Sequence, residues 1–218
     1  MMADGSSRPY VPAAGKHWRL PLYDLMSKVL GADAARRVLV QQIASRAGDR
    51  VLEIGCGTGS LLLAVKQAEP GAEVVGLDPD PAALAIARRK AERAGVPIRT
   101  DQGYADELPY PDASFDRVLS SFMFHHLTRA VKEGALREAR RVLEPGGRFH
   151  MVDFGGPGSG RRGFIGHLIH ADRYLRDNAE DRVLALMRGA GLADAQVLAR
   201  RPSPLGSAVY YQATVPPA

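Results

Sequence analysis

The chain has 218 residues, of which 45% are hydrophobic, and a formal net charge of +5, which is the composition of an ordinary globular protein with one core. It lacks a long apolar stretch and an apolar leader, so we expect a cytoplasmic protein that does not engage a membrane. A single cysteine excludes an intrachain disulfide and a cysteine-based zinc site, and arginines scattered among glutamates argue against a nucleic-acid partner.

The first residues are rich in Gly, Ser, Pro and Ala and show little periodicity. We expect a flexible or lid-like segment over residues 1–32, followed by a single domain over residues 33–218. From Asp33 to about Ala47 the apolar spacing predicts a helix, and Gly48 is suited to stop it.

Strands and helices then alternate. The predicted strands are RVLEIG, AEVVGLD, VPIRTD, FDRVLSS and RFHMVDF, and the predicted helices are GSLLLAVKQA, DPAALAIARRKAERAG and RAVKEGALREARRVL, the last ending at EPGG. Asp80 is the expected N-cap of the second of these helices, with Pro81 in its first turn. This alternation indicates a parallel sheet with helices on both faces and right-handed crossovers.

The last third of the chain has a different pattern. A helical segment is predicted from Phe164 to about Arg176, and AEDRVLALMRGAGL is predicted to form a helix that ends near Gly191. The strand-like runs DAQVLAR and SAVYYQATV are separated only by RPSPLG, so they are expected to form an antiparallel hairpin.

The stretch VLEIGCGTGS follows a strand with a glycine-rich turn and then a helix, an arrangement that points free backbone N–H groups at a ligand. A dinucleotide loop requires a small residue five positions after its first glycine, whereas Gly55, Gly57 and Gly59 are evenly spaced and Ser60 stands at that position. Glu53 precedes the loop, where it suits an ammonium group better than a pyrophosphate.

A second acidic residue, Asp78, ends the second predicted strand. A carboxylate at this strand tip accepts hydrogen bonds from both hydroxyls of an unphosphorylated ribose. The sequence therefore predicts a ligand that combines a nucleoside with an ammonium group.

Several consecutive motifs carry a family resemblance: VLEIGCGTG, GLDPDPAALAIA, ADELPYPDASFDRVLSSFMFHHL and EARRVLEPGGRFHMVDF. Over residues 49–154 the chain resembles class I S-adenosylmethionine-dependent methyltransferases of the small UbiE-like or methyltransferase-11 type. The resemblance implies a Rossmann-like α/β fold, with a seven-stranded, mostly parallel sheet of order 3-2-1-4-5-7-6 and a C-terminal antiparallel hairpin. It implies S-adenosylmethionine as the cofactor.

By this resemblance, Glu53 orients the methionine ammonium, the glycine loop admits the cofactor, and Asp78 holds the ribose. The complete set of implied cofactor-binding residues is Glu53, Gly55, Cys56, Gly57, Gly59, Asp78, Pro79, Tyr104, Ala105, Ser121 and Phe122. Many relatives have an Asp where this chain has Tyr104, so the adenine is expected to be held differently. Tyr104 could stack on the ring, Ala105 could offer its N–H, and Asp106 is a candidate replacement acid.

Methyl transfer from a sulfonium requires positioning more than acid or metal catalysis. A general base is needed only for an alcohol, phenol or acidic carbon, and His125 and His126 in FMFHHL are the candidates for that role. Either histidine could instead pack, cap a turn or face solvent.

Other histidines and aromatic residues are weaker candidates. His167 and His170 lack an evident further ligand, so no metal is expected, and His150 is read as a core residue. Tyr10, Trp18 and Tyr23 line an acceptor pocket or merely dock the N-terminal segment; the sequence does not decide between the two.

The sequence thus predicts an S-adenosylmethionine-dependent methyltransferase that acts on a small-molecule acceptor at an O, N or C atom. The N-terminal segment and residues 155–176 are expected to cover the acceptor. A nucleotide-dependent oxidoreductase is disfavoured by Ser60. A non-catalytic module that binds S-adenosylmethionine or S-adenosylhomocysteine is the alternative kept open by Tyr104. Oligomeric state is not encoded in a recognisable pattern.

Overall fold

The computed structural model describes residues 32–155, 178, 180–203 and 206–217. Within this part the helices are α1 Ala32–Ile43, α2 Ser60–Ala68, α3 Pro81–Ala94, α4 Arg129–Val142 and α5 Glu180–Gly189. The strands are β1 Arg50–Ile54, β2 Glu73–Asp78, β3 Arg99–Gln102, β4 Phe115–Ser121, β5 Leu143–Phe154, β6 Ala193–Ser203 and β7 Gly206–Thr214. The helix predicted over residues 164–176 and the aromatic residues of the N-terminal segment lie outside the described residues.

The strands form one seven-stranded sheet of order β3-β2-β1-β4-β5-β7-β6. Strands β1 to β5 are parallel to one another, while β7 is antiparallel to both β5 and β6. The predicted Rossmann-like fold, its strand order and its C-terminal hairpin are confirmed.

Apolar side chains cover both faces of the sheet. On one face Leu136 of α4 and Met187 of α5 are buried, and on the other Leu39 of α1, Leu62 of α2 and Leu84 of α3 are buried. Each such side chain contributes about 1.5–3 kcal/mol of burial free energy. These helices therefore hold the sheet as the middle layer of three.

Two predicted boundaries differ from the structure. Helix α1 ends at Ile43 because Ala44 adopts a positive φ of 45°, and Gly48, with a φ of 87°, lies in the following turn. Strand β5 begins at Leu143, which pairs with Phe115, so the EPGG sequence lies within the strand and not before it. At β5, pairing with β4 outweighs the local glycine signal.

The parallel strands place their carboxyl ends at one edge of the sheet. Ile54, Asp78, Ser121 and Phe154 end β1, β2, β4 and β5 there. Ligands of open α/β sheets bind at this edge, where the strand order reverses between β1 and β4. None of the described helices is long and apolar enough to cross a membrane.

Candidate functional site at the carboxyl edge of the sheet

The glycine loop is fastened to the neighbouring strand. The backbone N–H groups of Gly55 and Cys56 both donate to the carbonyl of Leu77 in β2, at 2.8 and 3.1 Å. Gly59 adopts a left-handed conformation and starts α2. The loop therefore carries the chain from β1 into a helix whose N-terminus faces the sheet edge.

Two positions of the loop require glycine for different structural reasons. A side chain at Gly55 would collide with Met123, so this glycine permits close packing inside the protein. At Gly57, where φ is +52°, an added Cβ would meet no atom of the described residues within 4 Å. Bare backbone at Gly57 thus borders open space, as a loop that admits a ligand requires.

Glu53 is a buried acid beside this loop. The residue is 2% exposed, and its Oε2 has no hydrogen-bond partner among the described residues. Burial raises the pKa of Glu53 to about 8, against the opposing effect of the Arg36 charge. A buried carboxylate oxygen without a partner is costly in the free protein, and a cationic ligand group would supply the missing partner.

Asp78 stands at the tip of β2 and is held by backbone groups. Its carboxylate accepts from the N–H of Gly57 at 2.8 Å and from the N–H of Asp80 at 2.9 Å. Burial raises the pKa of Asp78, and these two hydrogen bonds oppose that rise. Asp80 in turn caps α3 by accepting from Ala82, as predicted from the sequence.

The segment after β3 is fixed against α4. Tyr104 forms an antiparallel bridge with Glu107, and the Arg141 guanidinium donates to the carbonyls of Leu108 and Tyr110 at 3.0 and 2.8 Å. These contacts hold a rigid loop beside the tip of β2, where Tyr104 and Ala105 were predicted to meet the adenine.

Asp106, the candidate replacement acid for the adenine, has its Cβ against α4. Its Cβ lies so close to α4 that a Cβ at Gly134 would come within 2.8 Å of it. Asp106 thus packs on a helix of the core, which explains why residue 134 is a glycine. A role of the Asp106 carboxylate towards the adenine stays a prediction.

The end of β4 combines strain with apolar side chains. Phe122 is buried and has a φ of +52°, a conformation that costs roughly 1–3 kcal/mol for a residue with a side chain. Its N–H donates to the carbonyl of Val152, and its ring lies 4.8 Å from that of Phe154. Ser121 is 7% exposed, with an Oγ that has no partner within the described part of the chain. Such strain is concentrated at functional sites.

His125 and Asp153 form a hydrogen-bonded pair at this edge. The Asp153 carboxylate, with a side chain 1% exposed, lies 2.6 Å from His125 Nδ1 and accepts from the His125 N–H at 3.0 Å. Although burial alone would raise the pKa of Asp153, His125 and the backbone N–H groups of His125 and Phe154 lower it. The carboxylate is therefore ionised and accepts a hydrogen bond from Nδ1–H of His125, which leaves Nε2 as the basic nitrogen.

His126 differs from His125 despite being its neighbour. The two rings lie 4.0 Å apart, and burial, followed by the nearby His125, lowers the pKa of His126 to about 4. An imidazole with that pKa is a weak base at neutral pH. Of the two predicted candidates, the geometry favours His125.

A buried lysine anchors the turn that carries these histidines. Lys132 of α4 is fully buried, donates to Asn178 at 2.7 Å and lies 5.2 Å from the centre of the Phe124 ring. Asn178 also donates to the carbonyl of Phe154 at 3.1 Å. The turn Phe124–His126 is thereby tied to the end of β5.

The remaining predicted histidines are placed as follows. His150 is fully buried within β5, as expected of a core residue. His167 and His170 lie outside the described residues. Among the residues that are described, no three His, Cys, Asp or Glu side chains come together as a metal site.

This sheet order, a glycine loop after β1, and acids at the tips of β1 and β2 define the class I S-adenosylmethionine-dependent methyltransferases. Residues 51–147 match the family described as "Methyltransferase domain". The chain is 40% identical over 197 residues to the demethylmenaquinone methyltransferase of Thermus thermophilus, covering 79% of this chain and 89% of the relative. It therefore belongs to the UbiE type of class I methyltransferases, as the sequence motifs indicated.

Two further comparisons agree with this assignment. The ubiquinone/menaquinone biosynthesis C-methyltransferase UbiE of Azotobacter vinelandii is 34% identical over 197 residues, covering 78% of this chain and 77% of the relative. A crystal structure of a SAM-dependent methyltransferase from Aquifex aeolicus has the same fold, with a TM-score of 0.70 at 17% identity over 92% of this chain and 98% of that one.

The chain is thus an enzyme that uses S-adenosylmethionine to methylate a small molecule. The alternative of a module that binds the cofactor without turnover is not favoured, because these relatives are methyltransferases. The buried Glu53 oxygen without a partner and the open backbone at Gly57 fit the charged amino-acid portion of this cofactor.

Sequence reasoning missed three residues of this edge. Asp153 was read only as part of a strand, and Arg36 and Arg141 were read as members of scattered arginine pairs on a solvated surface. An acid near the end of an otherwise apolar strand was the one local signal for Asp153. The contacts of Arg141 with Leu108 and Tyr110 span 33 and 31 residues, and the helix that carries Arg36 is bonded to the distant Tyr210, so neither arginine carried such a signal.

Proposed function

We propose that this enzyme methylates a ring carbon of a reduced, dihydroxylated aromatic acceptor of the demethylmenaquinone type, with His125 as the general base. The observation that carries the proposal is the hydrogen-bonded pair of His125 and Asp153 at the catalytic edge. The relatives from Thermus thermophilus and Azotobacter vinelandii, a demethylmenaquinone methyltransferase and a ubiquinone/menaquinone biosynthesis C-methyltransferase, support the acceptor class.

The cofactor is assigned to residues of the glycine loop and the strand tips. Glu53 binds its ammonium, the backbone from Gly55 to Gly59 with Cys56 lines the methionine and ribose portions, and Asp78 binds the ribose hydroxyls. The adenine is enclosed by Pro79, Tyr104 and Ala105, while Ser121 and Phe122 form the wall towards the acceptor. When bound, S-adenosylmethionine supplies an electrophilic methyl group on a sulfonium.

A base is required because of the acceptor's chemistry. The oxidised quinone ring is electron-poor and has no hydroxyl proton, whereas the reduced ring has hydroxyl groups that activate the neighbouring carbon once deprotonated. His125 Nε2 removes that hydroxyl proton, and the charge of Asp153 stabilises the imidazolium that results. After methylation the ring carbon loses its hydrogen as a proton and the ring oxygen regains a proton from the imidazolium, so the reaction releases one proton to water overall.

The aromatic residues around the pair suit an apolar ring. Phe154 lies 5.1 Å from the His125 ring and 4.8 Å from the Phe122 ring. These aromatic side chains give the pair an apolar environment, which strengthens the electrostatic effect of Asp153.

A transfer assay with methyl-labelled S-adenosylmethionine tests the acceptor class. We expect incorporation of label into a short-chain demethylmenaquinone under anaerobic reducing conditions and none into the same compound kept oxidised. A matched naphthalene without hydroxyl groups serves as the control and should remain unlabelled. Equal labelling of the oxidised and reduced compounds, or labelling of neither while the cofactor binds, would contradict the proposal.

A further inference from the structure

The first turn of α1 lies at the same edge as the cofactor site. Helix α1 precedes β1 in the chain, and only residues 44–49 join the two. The Tyr210 hydroxyl donates to the carbonyl of Ala35 at 3.2 Å, and Tyr210 is paired with Val152 near the end of β5. The helix start is thus fixed at the carboxyl edge by a hydrogen bond to the sheet.

Arg36 follows Ala35 and faces the protein interior. Its side chain is 11% exposed, and Leu39, three residues further on the same side of the helix, is fully buried. The guanidinium lies 3.1 Å from Asp33, a carboxylate that is itself 34% exposed. An arginine so placed brings a positive charge to the edge from a helix outside the glycine loop.

The charge of Arg36 acts on Glu53. Burial is the main influence on Glu53 and raises its pKa, and among the charged groups that oppose this rise Arg36 has the largest effect, ahead of Lys90. Lys90 donates to the hydroxyls of Thr58 and Ser60 at 3.2 and 3.0 Å, so its ammonium lies at the start of α2. Arg36 is thus the cation that acts most strongly on the buried acid beside the glycine loop.

We propose that Arg36 binds the α-carboxylate of the cofactor's methionine portion, so that Glu53 and Arg36 together recognise an α-amino acid. The two charges of an α-amino acid are attached to one carbon, about 2.5 Å apart, and thus require neighbouring protein charges of opposite sign. A planar guanidinium matches a carboxylate with paired N–H donors. This inference rests on the cofactor and is independent of the acceptor proposed above.

Calorimetry with three nucleosides tests the assignment without turnover. S-adenosylhomocysteine carries both charges, decarboxylated S-adenosylmethionine lacks only the carboxylate, and 5′-methylthioadenosine lacks the whole amino acid. For Arg36→Met we expect affinity for S-adenosylhomocysteine to fall about 10- to 100-fold. Affinity for the other two compounds should stay within about 2-fold of the unmodified enzyme.

A control variant and a conservative variant complete the calorimetric test. Arg37→Met, which removes the exposed neighbouring charge, should leave all three affinities unchanged. Arg36→Lys keeps the positive charge but not the paired N–H donors of the guanidinium, so it should show an intermediate loss of affinity for S-adenosylhomocysteine. This variant also provides the test if Arg36→Met does not fold. If Arg36→Met weakens 5′-methylthioadenosine or the decarboxylated compound as much as S-adenosylhomocysteine, Arg36 has only a structural role and the inference fails.

Discussion

Replacing Glu53 with glutamine is expected to weaken binding of S-adenosylhomocysteine about 100-fold, because the ligand's ammonium loses a buried charge partner. Glutamine keeps the shape of the side chain, so the glycine loop should retain its conformation. Affinity for 5′-methylthioadenosine, which has no ammonium, should be unchanged. Isothermal titration of both ligands against both proteins measures this difference.

Two other carboxylate variants serve as comparisons for Glu53→Gln. Asp78→Ala should weaken both ligands, because both contain the ribose that Asp78 is proposed to hold. Glu73→Gln changes an exposed acid at the opposite end of β2 and should weaken neither. The account of Glu53 is wrong if its variant loses affinity for both ligands equally.

The same Glu53 substitution is expected to stabilise the cofactor-free protein at high pH. The folded-state pKa of about 8 exceeds the ordinary value of 4.5, so between these values the folded protein holds a proton that the unfolded chain has released. The contribution of Glu53 to the free energy of unfolding is therefore full below about pH 4.5 and is lost as the pH rises through about 8. Glutamine cannot ionise and escapes this loss.

Chemical denaturation at several pH values measures the effect. Relative to the unmodified enzyme, Glu53→Gln should gain on the order of 3 kcal/mol at about pH 8.5 and almost nothing at about pH 5. A gain that is the same at both pH values would point to improved packing in place of a removed charge. A site residue whose replacement stabilises the free protein while abolishing ligand binding is one retained for function.

His125→Asn is expected to lower kcat about 100- to 10,000-fold, because general base catalysis contributes that much when the acceptor must be deprotonated. The KM for the acceptor and the affinity for the cofactor should change little, since the base acts on the reacting hydroxyl. Steady-state kinetics with the reduced acceptor measures the effect. Raising the pH should partly restore the variant, because the acceptor then ionises without help.

Asp153 and His126 provide the comparison variants for His125. Asp153→Asn should lower kcat by a smaller factor, because an amide no longer fixes the Nδ1 proton or stabilises the imidazolium. His126→Gln should keep kcat within about 10-fold, since His126 is a weak base at neutral pH. A loss at His126 as large as that at His125, or a His125 variant without recovery at high pH, would rule out His125 as the base.

Local patterns in the sequence predicted the elements that depend on local chemistry. The bounds of β4 agree with the FDRVLSS run, and Asp80 caps α3 because its side chain needs only the next turn of chain. The order of the strands came from the motif resemblance, since strand alternation alone does not determine which strands are neighbours. The glycine loop and its two acids could be predicted because they lie beside strand ends.

Contacts between distant segments could not be predicted in this way. Asp153 and His125 are 28 residues apart, and only the pairing of β4 with β5 brings them together. The loop held by Arg141 depends on contacts that span about 30 residues. The position of α1 at the site depends on Tyr210, 175 residues after Ala35. Such contacts are properties of the packed fold, and short sequence motifs carry no record of them.

The position of the transferred methyl group tests the central claim most directly. With 13C-methyl-labelled S-adenosylmethionine and the reduced demethylmenaquinone, long-range carbon–proton NMR of the product should correlate the labelled methyl with ring carbons. Our account predicts a methyl group bonded to carbon, together with its loss in His125→Asn. A labelled methyl group on oxygen or nitrogen, or unchanged C-methylation in that variant, would contradict it.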